Sequence, residues 1–176
     1  FTSKTLKLFF EQSSSTPLAI IDNYSMWYEF DLNPHTMFEG ILWRKSDIYP
    51  EMKEIFERAE EVKRKYNINR LALRPDIAFT YAKNDEEFMK NPKIKLIIEC
   101  KNFDYTLWEK EIDNQIKPYK EILQPEHIIV ASLKSVPRYS KQKLLNYGID
   151  VIDNVYPEGS GEYELITYVR RVLEYT

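Results

Sequence analysis

The segment Ile94-Lys95-Leu96-Ile97-Ile98-Glu99-Cys100-Lys101 constrains this chain more than any other. It is an apolar, β-prone run that closes on a carboxylate, one spacer and a lysine, and it reads as a strand. Strand side chains alternate faces, so Glu99 and Lys101 point one way and Cys100 the other. A charge at the end of such a run is costly to bury unless it has a partner or an ion beside it.

The elements around that strand set the fold class. Residues 4–12 read as a short helix, and Leu18 to Leu32 as an extended segment, a bent strand or a hairpin. Pro50 opens a helix to about Tyr66, with the apolar stripe Met52, Ile55, Phe56, Ala59, Val62 and Tyr66 at helical spacing. A strand over about 70–81 is followed by a polar connection from Asn84 to Pro92 and then by the Ile94–Lys101 strand. Beyond it, Trp108 to Leu123 reads as a helix, His127 to Leu133 as a strand, and Ser140 to Tyr147 as a helix closed by Gly148. Ile149 to Val155 reads as a strand, and about Glu162 to Tyr175 as an amphipathic helix. This order predicts an α/β protein with a mixed central sheet flanked by helices.

Composition narrows the classes. At 176 residues, 43% hydrophobic and 30% charged, the chain reads as a single soluble domain over 1–176, with a core over about 18–133 and a C-terminal elaboration over 134–176. The opening Phe1-Thr2-Ser3-Lys4 reads as a fragment of a longer chain. One cysteine excludes an internal disulfide framework and suits a reducing, cytoplasmic compartment. No apolar stretch approaches the roughly 20 residues a membrane span needs. With only four glycines and no glycine-rich loop, no nucleotide cofactor is expected. No His/Cys cluster suggests zinc; His35 and His127 read as a loop and a strand-start residue. The net charge of −3 means that attraction for phosphates would have to come from a local basic patch.

A second segment gives the strand end its meaning. In Arg74-Pro75-Asp76-Ile77-Ala78-Phe79, Asp76 stands at the head of a strand. If that strand lies beside Ile94–Lys101, the carboxylates of Asp76 and Glu99 converge with the Lys101 ammonium. Such a set can hold a divalent cation and a phosphate together. The plainer alternative is a solvated edge strand that ends in charges.

With those residues in hand, the chain resembles the PD-(D/E)XK nuclease superfamily, whose fold is that of many restriction endonucleases, resolvases and repair nucleases. Pro75-Asp76 matches one half of its motif and Glu99-Cys100-Lys101 the other, with a hairpin-sized stretch between them. Gln115-Ile116-Lys117-Pro118-Tyr119 is similar to the Gln-xxx-Tyr signature of some branches. The resemblance implies a restriction-endonuclease-like core and a DNA-cleaving enzyme dependent on Mg²⁺ or Mn²⁺. It makes Asp76 and Glu99 metal ligands, joined by the backbone carbonyl of Cys100 and by one more acidic residue. Glu29 is the candidate for that place, with Glu54 and Glu57 as competitors. It also implies that Lys101 positions the attacking water or stabilises charge on the phosphate, with Gln115 and Tyr119 reaching the site from the following helix. The alternative from another class is a nucleic-acid-binding module whose nuclease fold no longer cuts.

Basic residues complete the expectations. Lys134, Arg138, Lys141 and Lys143 form a run without acids, and with Lys117 and Lys120 they are candidates to line a phosphate-binding groove. DNA is the expected partner. Cutting both strands at a fixed spacing would favour a homodimer, since each subunit carries one site.

Overall fold

A computed structural model describes residues 19–21, 23–30, 49–69, 71 and 73–174, of which 19–21 are described for their backbone only. The expected helix over 4–12, the residues 18, 22, 31 and 32 of the first extended segment, and His35 lie outside this set. The chain folds as an α/β protein with a mixed six-stranded sheet whose strands lie in chain order. Strands β1 (Ala19–Ile21), β2 (Tyr24–Tyr28), β3 (Ile77–Thr80) and β4 (Ile94–Lys101) form an antiparallel meander. Strands β5 (His127–Ser132) and β6 (Asp150–Ile152) then continue it in parallel.

Helix α1 (Pro50–Tyr66) begins at the proline, whose missing N–H costs nothing in a first turn. It ends where Asn67 turns left-handed at φ 52° while Ile68 N–H donates to the Lys63 carbonyl, a Schellman closure. Its buried residues are Met52, Ile55, Ala59 and Val62, the predicted stripe. They pack over Trp27, Ala78, Ile97, Ile128 and Val130 on one face of the sheet. The other face, with Phe79, Leu96, Ile98, Ile129 and Ile152, is covered by Tyr168, Val172 and Leu173 of the last helix, α5 (Ser160–Glu174). The segment after residue 133 therefore adds a strand to the sheet and supplies the cover for its second face.

Three local expectations need correction. The polar connection after β3 contains helix α2 (Asp85–Lys90). Asn84 Oδ1 accepts the Glu87 N–H at 2.9 Å, and Glu87 Oε2 accepts the Lys83 N–H at 2.8 Å, a near-reciprocal cap that stabilises even a short helix. The strand expected over about 70–81 is laddered only from Ile77 to Thr80. Leu71, Leu73 and Pro75 before it are buried without being part of the ladder, and Pro75 has no N–H to give. The helix expected from Trp108 is a helical run over 105–123, made of α3 (Tyr105–Trp108) and two π-helical stretches, Ile112–Ile116 and Tyr119–Leu123. Pro118, which cannot donate, sits between those stretches, and the wider turn accommodates the lost bond. The run stops where Gln124 turns left-handed ahead of Pro125.

Candidate active site

Where β3 begins and β4 ends, the backbone places three charged groups side by side. The β3–β4 register pairs Ile77 with Ile98, so Asp76 comes level with Glu99. Asp76 is pinned from the other side as well, because Glu29 N–H donates to the Asp76 carbonyl at 2.7 Å and Phe30 N–H to that of Pro75 at 3.2 Å. Ala78 and Ile97 belong to the core under α1, so strand alternation turns Asp76, Glu99 and Lys101 toward that same face. Cys100 points to the opposite face and is exposed, while its N–H donates to Asp76 Oδ2 at 2.7 Å.

Glu99 and Lys101 are both buried. The Lys101 ammonium donates to Glu99 Oε1 at 3.1 Å, to Gln115 Oε1 at 2.8 Å and to Glu111 Oε2. Gln115 in turn donates from Nε2 to the Tyr119 hydroxyl at 3.2 Å. The site is thus a chain of polar contacts running from β3 through β4 to the helical run. Glu111 is the member that sequence reasoning missed. Its spacing of four from Gln115, repeated at Tyr119, is the helical signal that would have found it.

The electrostatics follow from burial and crowding. Burial first, and then the Asp76 charge, push the Glu99 carboxyl up to about 7. Burial also raises Asp76, offset in part by the Cys100 N–H and by Lys101. For Lys101 burial works downward, but the Glu99 and Glu111 carboxylates outweigh it and hold the ammonium above its ordinary value. Tyr119 is raised well above the normal phenol range by burial and then by the Glu99 charge, so its hydroxyl stays neutral.

Glu99 Oε2 is buried and has no hydrogen-bond partner among the described residues. A buried carboxylate oxygen without a donor is costly, and burial makes both carboxyls hold their protons more tightly than normal. No three His, Cys, Asp or Glu side chains gather to hold a metal by themselves among the described residues. The set nevertheless fits an ion such as Mg²⁺, which takes one or two carboxylates and fills its shell with water and substrate phosphate.

Glu29 lies next to the centre. Its backbone, at φ 45°, ends β2 beside Asp76, and its carboxylate accepts from the exposed Arg74 guanidinium at 2.8 Å. Glu54 and Glu57 are exposed on α1, and Glu54 pairs loosely with Arg58.

Most of the basic candidates have partners of their own. Lys117 pairs with Asp113 and lies 4.0 Å from the centre of the Tyr147 ring. Lys120 donates to the Tyr147 carbonyl. Both therefore tie the helical run to the end of helix α4 (Arg138–Asn146). Lys141 is held by Asp153 at 2.7 Å, and Arg138 and Lys143 stand exposed on α4. Lys134, 3.4 Å from Asp104, lines a cavity that borders Leu133.

Two cavities flank the charged centre. One of about 550 Å³ is lined by Glu111 and Gln115 together with Asn67, Asn69 and Asn114. The other, of about 450 Å³, is lined by Asp76, Cys100 and Lys101 together with Tyr28, Asn102 and Leu133. Comparison of the chain with protein-family models, with curated proteins and with solved structures returns no match. No helix among the described residues is long and apolar enough to cross a membrane.

Proposed function

We propose that this chain is a metal-dependent nuclease of the PD-(D/E)XK type that hydrolyses DNA phosphodiester bonds, with Asp76, Glu99 and Lys101 at its centre. The observation that carries the reading is the convergence of those three groups at the ends of adjacent strands, with one Glu99 oxygen buried and unpartnered among the described residues. An antiparallel meander continued by a parallel strand across a helical connection supports a restriction-endonuclease-like core. So does the arrival of Gln115 and Tyr119 at the site from that connection.

Asp76 and Glu99, with the Cys100 carbonyl, are the groups that would hold Mg²⁺ or Mn²⁺. When bound, such an ion supplies charge to the phosphate and acidity to a water. The protein's own groups have separable tasks. Lys101, held cationic by its carboxylate neighbours, acts as a donor and not as a base, and its ammonium is suited to a phosphate oxygen or to the attacking water. Gln115 and Glu111 fix the Lys101 Nζ, and the neutral Tyr119 hydroxyl keeps the Gln115 amide oriented. The Cys100 N–H holds Asp76 Oδ2 and so fixes the rotamer of that carboxylate. DNA is the proposed partner, and cutting of both strands would call for two copies of the chain.

The test is cleavage of supercoiled plasmid and labelled oligonucleotides in Mg²⁺, Mn²⁺ or EDTA, with Asp76→Ala and Lys101→Ala run alongside. Cleavage that needs the ion and is lost in both variants is the expected result. Cleavage that survives in both variants, or none under any ion, would overturn the reading.

A further inference from the structure

We infer that the cavity between the end of α1 and the helical run reads the N6/N7 edge of one adenine beside the cut, so that cleavage is biased by sequence. The inference rests on the nuclease reading above and names what that same site selects. The cavity measures about 550 Å³ and is lined by Tyr66, Asn67, Asn69, Glu111, Asn114 and Gln115. Glu111 and Gln115 also hold the Lys101 ammonium, so the cavity lies on the side of the sheet toward which Asp76, Glu99 and Lys101 turn. A strand whose phosphate sits at Lys101 has a neighbouring base within reach of this wall.

The chemistry of the lining selects the occupant. Three of its groups are already committed. Gln115 is engaged at both ends, by Lys101 and by Tyr119, Glu111 accepts from Lys101, and the Tyr66 hydroxyl donates to Glu121. Asn67, Asn69 and Asn114 are exposed, and their amides make no hydrogen bond among the described residues. They arrive from two elements. Asn67 and Asn69 follow α1, while Asn114 stands three residues after Glu111 and shares its helical face. Among the described residues the lining holds no Lys or Arg, and Lys65, next to Tyr66, is held by Glu121 at 3.1 Å. With Glu111 as its charged group, the cavity disfavours phosphate. A deoxyribose inside a strand has no free hydroxyl, so the base is the part of DNA that amides can read. An amide offers an acceptor and a donor side by side, which matches the N6 amine and N7 of adenine. On the same edge guanine presents two acceptors, cytosine a donor, and thymine an acceptor beside a methyl group. The N6/N7 edge is open both in the major groove of a duplex and on an unpaired base.

The test sequences the products of cleavage in Mn²⁺ from random-sequence DNA, supplied as single strands and as duplexes, with Asp76→Asn run alongside. Adenine is expected to be favoured at one fixed position near the cut by at least about fivefold over each other base, as one bidentate amide contact supports. A defined substrate with 7-deazaadenine at that position, which lacks the N7 acceptor, should be cut more slowly by a similar factor. Asn69→Ala combined with Asn114→Ala should flatten the profile by lowering cutting at adenine sites toward that at the others, whereas a folding defect would lower cutting at all sequences alike. Because the analogue alters the DNA and not the protein, it decides the matter even if the double variant folds poorly. Bias in the single strands alone would support an unpaired adenine, and bias in the duplexes an adenine read in the groove. A flat profile with Asp76-dependent cutting intact, or a bias that the analogue and the double variant both leave untouched, would overturn the adenine inference and leave the nuclease reading standing. Absence of any Asp76-dependent cutting would overturn both.

Discussion

The backbone N–H of Cys100 donates to Asp76 Oδ2 at 2.7 Å, so the spacer between Glu99 and Lys101 is what locks the carboxylate of one strand to the charged pair of the next. An asparagine at 76 can still accept that bond through its amide oxygen, but it brings no charge. Asp76→Asn should therefore keep the fold and lose metal-dependent cleavage by at least about 100-fold, more than the loss seen when groups that merely support a metal ligand are removed. Because the native carboxyl is raised by burial, Tm without divalent ions should be unchanged or higher. Thermal melts and cleavage rates on the same preparation check both halves.

Glu99 links stability to pH. Its carboxyl is at about 7 in the fold against 4.5 for the ordinary group, so between those values the folded chain binds more protons than the unfolded one. Stability should then fall as pH rises from about 4.5 to about 7, by up to about 3 kcal/mol. Mg²⁺ in excess should flatten this slope by taking the place of the proton. Glu99→Gln should flatten it with or without the ion. Urea denaturation across that pH range, with and without Mg²⁺, measures it, and a wild-type slope identical to that of the variant would count against the assignment.

Glu111 is predicted to matter through Lys101. Glu111→Ala removes one of the three acceptors on the ammonium and should lower kcat by about 10–100-fold, the range for groups that orient catalytic ligands. Glu111→Gln, which keeps an acceptor at the same reach, should restore most of that loss. The Glu111 side chain is partly exposed, so stability should change by less than about 1 kcal/mol. Single-turnover cleavage resolves the three proteins.

Lys95 provides a control far from the site. It is buried near the start of β4 and is neutralised by Glu126 at 2.7 Å, a carboxylate that also accepts the Tyr81 hydroxyl. Glu126→Gln leaves a buried ammonium without its counter-charge and should cost about 2 kcal/mol, less than a fully buried pair because Glu126 is itself partly exposed. Lys95 lies six residues from Lys101, about 20 Å along a strand, so cleavage per folded molecule should not change. Urea titration and a cleavage assay at low temperature separate the two effects.

How much of this was legible in the sequence depends on the range of the interaction involved. The β4 run and the α1 stripe were legible because each is a local pattern of apolar residues. Asp76, Glu99 and Lys101 were legible as a set because strand alternation fixes which side chains share a face. Helix α2 was missed because its cap, Asn84 with Glu87, lies inside a stretch polar enough to pass for a loop. The fate of Glu29 was not legible, because its partner Arg74 comes from a segment distant in the chain. The pairings of the basic run were hidden for the same reason. Lys141 and Lys134 are countable in the sequence, but Asp153 and Asp104 reach them only in the folded chain.

The order of the sheet has a consequence for how the centre comes into being. Each strand lies beside its chain neighbour, although residues 29–76 come between β2 and β3 and a helical run between β4 and β5. Asp76, Glu99, Lys101, Glu111, Gln115 and Tyr119 all precede β5 in the chain, yet Glu99 is flanked in register by Val130 of β5. On a chain made from its N-terminus, these side chains all exist before the wall that dries them. The strand that walls in Glu99 thus comes from a part of the chain that follows every member of the charged centre.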